Sequence, residues 1–193
     1  MSRIRSAIVA TALISLVLGT SPVSAAAASA SGAAGGQATG GQAAGGQAAG
    51  GQADWAGVRA ATAAFHDLSI AQAAGYGLFP GCFSDPTGGM GIHYVQFSSV
   101  ADGVVDPLHP EALVYEPLAG GGLRLVAVEY VVIAASWTGA TPPSVFGVPL
   151  TFVDSPNEFG LPPFYELHAW LWQPNPLGMF NEWNPMVSCA AAG

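Results

Sequence analysis

Two histidines and two glutamates carry most of the chemistry this sequence can offer. His93 lies in GGMGIHYV, Glu116 in EALVYE, Glu129 in LRLVAVEYVV and His168 in YELHAWLW. Each segment reads as a β-strand, and alternate side chains of a strand share a face. Glu129 then falls on the face of Leu123, Leu125, Ala127 and Val131, as the one carboxylate of an apolar surface. An unpartnered buried carboxylate is costly and raises its own pKa, so it needs a cation, a metal or a hydrogen-bond donor. The chain has no lysine and four arginines, two of them near the N-terminus, which leaves histidine or a metal.

His168 shares its face with Glu166, Trp170 and Trp172, and His93 shares one with Val95 and Phe97. Strands curving around one interior can aim these groups at a common point. Imidazoles with carboxylates suit zinc, iron, manganese or copper. The expected ligands are His93, Glu129 and His168, with Glu116 as a fourth ligand or a proton-transfer group. Two other readings stand beside this one: a hydrogen-bonded polar network that only fixes the fold, and a metal-free catalytic pair. Met90, Met179 and Met186 add thioether ligation of copper as an option, although methionine more often fills gaps in a core.

The aromatic concentration near the C-terminus includes Trp170 and Trp172, which read mainly as core. An exposed subset would stack on a sugar or another flat ligand, with Glu116 and Glu129 as acid and base. His66, on a helix beside Asp67, and His109, between Leu108 and Pro110, read as exposed residues. No HExxH, paired CxxC or GxSxG motif occurs, and the GGMG turn lacks the lysine and helix of a phosphate loop.

The elements that must position these groups begin after residue 53. Residues 1–25 run from Arg3 and Arg5 through an apolar stretch to Val23, Ser24 and Ala25, the pattern of a cleaved secretory signal. Residues 26–53 repeat GGQA from Gly35, Gly40, Gly45 and Gly50, and lack the large apolar side chains needed to offset ordering entropy, so this segment reads as a disordered tether. Residues 54–193 read as one globular domain, long enough to bury roughly two thirds of its unfolded surface. No later segment has an apolar run of spanning length, so no membrane insertion is expected after signal cleavage.

The formal net charge of the chain is -8, and loss of Arg3 and Arg5 with the leader makes it more negative by two. Such a balance repels phosphate backbones and anionic lipid, which excludes nucleic acid and favours a metal ion or small molecule as partner. In an oxidising extracellular compartment the two cysteines, Cys82 and Cys189, pair by default, with thiol ligation of a metal as the alternative.

Asp54 reads as a helix N-cap, followed by Val58, Ala61, Phe65, Leu68 and Gln72 at helical spacing, with a stop at Gly75 or Gly77. Beyond Pro80 come short β-rich runs divided by Pro and Gly: Ile92 to Phe97, Glu111 to Glu116, Leu123 to Ala134 and Tyr165 to Trp172. The glycines of residues 117–122 predict a hairpin between the second and third. Residues 141–163 and the C-terminal QPNPLGMFNEWNP read as irregular. The expected fold is α+β, an N-terminal helix on a curved antiparallel sheet or partly closed barrel of about five or six strands. A cupin-like all-β barrel is the alternative, weakened by the absence of closely spaced histidines.

The segments GGMGIHYV, PEALVYEP, LVAVEYVV and YELHAWLWQPNPLGMFNEWNPMVSC, within about Ala60 to Cys189, resemble a family of uncharacterised secreted bacterial proteins common in actinobacteria. The resemblance implies export and a compact domain. It implies no reaction and no cofactor.

Overall fold

The computed structural model describes residues 54–192. The signal segment at 1–25 and the repeat at 26–53 lie outside the described residues.

Residues 54–62 form a first helix, α1, and Asp54 is already helical instead of capping it. Trp55, Val58 and Thr62 make its buried stripe. Thr62 is tolerated there because its hydroxyl donates to the Val58 carbonyl at 2.9 Å. The expected single helix then breaks. A 3-10 turn spans Ala63–His66, and a second helix, α2, spans Leu68–Ala73. Asp67 causes the restart: its carboxylate accepts the Ser69 amide at 2.9 Å and caps α2, the local competition that makes aspartate a poor interior residue and a good cap. Ala61 and Gln72, placed by spacing on the buried face, are exposed as a result. Gly75, at φ +100°, supplies the left-handed turn that ends the helical region.

Six strands form one antiparallel sheet. In chain order they are β1 (Gly77–Asp85), β2 (Gly88–Val95), β3 (Ala112–Pro117), β4 (Leu123–Ile133), β7 (Thr151–Val153) and β8 (Phe164–Ala169), with spatial order β1-β2-β3-β4-β8-β7. A small separate hairpin joins β5 (Ser144–Val145) to β6 (Val148–Pro149). The β3–β4 hairpin turns through Gly120, Gly121 and Gly122, all at positive φ. Besides the β5–β6 hairpin, two strands of the large sheet escaped sequence analysis. β1 contains Pro80 and Gly81, which read as punctuation, and accommodates them with a register shift between Leu78 and Cys82. β7 has three residues, too few to show alternation.

The sheet curls into a half-barrel with open edges at β1 and β7. This architecture is α+β and excludes the closed cupin-like alternative. On one face α1 and α2 cover Leu113, Tyr115, Val128, Tyr130, Val132 and Leu167. The other face carries the polar site and a smaller cluster of Val114, Val126, Ala127, Trp170 and Val187.

A bulge in β4 sets which residues reach which face. Val114 pairs with Ala127, but the next residue, Tyr115, pairs with Leu125, so Val126 is inserted. An inserted residue inverts the alternation beyond it. Leu123 and Leu125 therefore pack on the helix side, a correction to the strict alternation that put them on the face of Glu129.

The C-terminal segment lies against β1 and β2. Cys82 and Cys189 form a disulfide across 107 residues, and Gly89 and Asn184 exchange backbone hydrogen bonds at 3.1 Å. A Cβ on Gly88 would lie 2.4 Å from the Asn184 carbonyl, which is why glycine stands at this crossing. Among the described residues no helix is long and apolar enough to cross a membrane.

Candidate metal centre

Three adjacent strand pairings bring the site together. His93 on β2 faces Val114 on β3, which faces Ala127 on β4; Ala112 on β3 faces Glu129 on β4, which faces His168 on β8. Ala112 and Ala127 lie fully buried between the larger groups and leave room for the imidazoles. His93, Glu129 and His168 are buried, at 5 %, 5 % and 2 % exposure.

Each of the three offers one ligand atom, and these atoms lie within 4.8 Å of one another. His93 Nε2 stands 3.3 Å from Glu129 Oε2 and 3.4 Å from His168 Nε2. His168 Nδ1 is 3.9 Å from Glu129 Oε1. Hydrogen bonds from nitrogen cluster near 2.9–3.0 Å and seldom exceed about 3.2 Å. A tetrahedral ion with bonds of about 2.0–2.1 Å instead has ligand-to-ligand edges of about 3.3–3.4 Å. The two shortest separations match such edges better than hydrogen bonds. Two histidines and one carboxylate are a donor set used for zinc and for non-haem iron.

Burial shapes the electrostatics. Desolvation lowers the His93 pKa to about 4 and holds His168 well below its usual value, an effect to which His93 adds. Both imidazoles are neutral near pH 7, the form that binds metal. Desolvation also raises Glu129 well above the usual carboxylate range, and Glu166 adds to this by charge and by a side-chain hydrogen bond. Glu166 itself rises to about 7, mainly through desolvation and then through the charge of Glu182. His93 Nδ1 is buried without a hydrogen-bond partner.

Glu166 is the residue that sequence analysis placed on the correct face and left without a role. Its signal was the two-residue spacing to His168, and the register that sets it against Val131 brings it to Glu129. Glu116 occupies a different place. Its carboxylate accepts Arg124 Nη2 at 2.5 Å and the Ser188 amide at 3.1 Å. It lies four residues along β3 from Ala112, the strand partner of Glu129, about 13 Å at strand rise. The structure thus ties Glu116 to the C-terminal segment instead of to the histidines, and does not pair it with Glu129 across one bond.

The tryptophans divide between the two faces because regular alternation ends with β8 at Ala169. Trp170 is buried, stacks on His168 with centroids 6.0 Å apart and donates Nε1 to the Asn181 carbonyl. Trp172 packs toward the helix-side cluster, with Arg59 over its ring at 5.6 Å. They do not form a shared stacking platform. Met179 also packs on the helix side and Met186 is exposed, so neither thioether joins the imidazoles. His66 is exposed and meets Trp172 edge-on, and exposed His109 pairs with Asp106 at 2.8 Å.

A cavity of about 90 Å³ adjoins the site. His93, Glu129 and Glu166 contribute to its wall, and the other lining residues are apolar.

Comparisons with family models, with curated proteins and with solved structures find no match. The chemistry of the site therefore carries the functional reading.

Proposed function

We propose that this is an exported domain that binds one divalent transition metal, zinc, iron, manganese or copper, through His93, Glu129 and His168. The observation that carries the proposal is the pair of 3.3 and 3.4 Å separations among buried ligand atoms from three strands. Three protein ligands are the arrangement of catalytic metal sites, which keep a position for water or substrate, whereas structural zinc sites are usually closed by four. An ion held this way would polarise a bound oxygen or acidify a bound water.

The disulfide and the resemblance to secreted bacterial proteins support export. A network with only a structural role fits less well, because the 3.3 and 3.4 Å separations are longer than ordinary hydrogen bonds from nitrogen. A glutamate-only hydrolase lacks support, since Glu116 is engaged by Arg124 and Ser188.

Elemental analysis of untagged protein purified without chelator tests the assignment. One equivalent of metal in the wild type, lost in His93→Ala/His168→Ala, is expected. Absence of metal in the wild type, or undiminished metal in the double variant, overturns it.

A further inference from the structure

We propose that the cavity beside the imidazoles receives the end of an uncharged, slender, aliphatic molecule whose single oxygen points toward His93 and Glu129. This names the ligand class of the proposed metal site; its assignment to chemistry rests on that reading, but its binding does not require metal.

The walls of the cavity set the chemistry of the guest. Phe79, Val95, Val131, Ile133, Phe159 and Phe164 supply apolar surface from different elements, while His93, Glu129 and Glu166 supply the polar groups. Such walls cannot satisfy the hydroxyls of a sugar or polyol, and each unsatisfied hydroxyl carries its full desolvation cost. No lysine or arginine lines the space, so an anionic head would meet carboxylates with no side-chain countercharge.

Its volume sets the shape. An apolar cavity of about 150 Å³ holds the six carbons of benzene, or about 25 Å³ per atom. On that scale the 90 Å³ here admits about four non-hydrogen atoms, a chain end in preference to a ring. A longer guest would have to leave past Phe97, a lining residue that is 54 % exposed and therefore suited to a mouth.

The test is a methyl NMR titration of the mature chain, metal-free and zinc-loaded, with ethanol, 1-propanol, 1-butanol, 1-pentanol and glycerol. The expected result is shifts confined to the methyl groups that line the cavity, those of Val95, Val100, Val131, Ile133 and Leu161. Affinity should rise about fourfold from ethanol to 1-propanol, the transfer free energy of a buried CH2, and by less for each further methylene, which leaves the cavity; glycerol should leave the spectrum unchanged. Val131→Phe, which fills the cavity, should abolish the shifts. Should that variant fail to fold, Phe97→Ser at the mouth should weaken pentanol more than propanol.

Binding of glycerol as tight as that of butanol, affinity independent of chain length, or absence of alcohol binding overturns the proposal. Zinc uptake without alcohol binding removes this inference and leaves the metal reading standing. Alcohol binding with the stated chain-length dependence, but without zinc uptake, does the reverse.

Discussion

His93 and His168 lie on strands separated by two others, yet their Nε2 atoms are 3.4 Å apart. Three strand spacings in a flat sheet would separate their backbones by about 14 Å, with side chains standing nearly parallel. Only a sheet curled toward this face lets the two rings meet. The half-barrel is thus the device that creates the site, and small Ala112 and Ala127 keep its floor clear.

Removing one imidazole should remove most metal affinity. His168→Ala is expected to weaken binding by more than about 100-fold, since loss of a mere outer-shell partner costs about 10–100-fold. Cobalt substitution provides the measurement: the visible absorption of a low-coordinate cobalt ion should appear in the wild type and vanish in the variant.

Glu166→Gln should act on the ion through Glu129, whose pKa Glu166 helps to raise. A loss of about tenfold in metal affinity by calorimetry is expected, within the range for groups that orient a ligand. Glu129→Gln should lose more.

Glu116→Gln should instead affect the fold. It weakens the contacts to Arg124 and the Ser188 amide. Because Arg124 is half exposed, the expected cost is about 1 kcal/mol in urea unfolding. Metal stoichiometry should be unchanged; a loss of metal would return Glu116 to the site.

Glu111 gives a pH signature independent of the histidines. It is buried, accepts the Val131 amide at 3.1 Å, and desolvation raises its pKa to about 8. A carboxyl raised from 4.5 to about 8 binds more proton in the folded than the unfolded state across that window. Its contribution is complete below pH 4.5 and is lost as pH rises through about 8. The buried histidines act oppositely but only below their unfolded value of 6.5. Metal-free protein should therefore lose stability between pH 6.5 and 8, with Glu129 and Glu166 acting in the same direction, and Glu111→Gln, which keeps an acceptor for Val131, should make that slope shallower. Equal slopes in urea unfolding would refute the role of Glu111.

Reduction should destabilise the domain by about 4 kcal/mol, because the Cys82–Cys189 bond closes a long loop. Free-thiol titration of native protein should detect no thiol before reductant is added and two afterwards.

The parts legible in the chain were those governed by local pattern. Alternation in LRLVAVEYVV and YELHAWLW marks strands, the scarcity of cations makes Glu129 conspicuous, and glycine after residue 117 marks the hairpin. From these, His93, Glu129 and His168 could be selected as candidates.

Pairing decided the rest. The bulge at Val126 exchanges the faces of Leu123 and Leu125, since one inserted residue inverts a two-residue period. Register sets Glu166 beside Glu129 and leaves Glu116 at the far end of β3. Asp67 interrupts a helix whose apolar spacing continues through it. Side-chain type and strand period are properties of neighbouring residues, so they can be read along the chain. Curl and register arise from contacts between strands distant in sequence, and those contacts determined which ionisable groups meet.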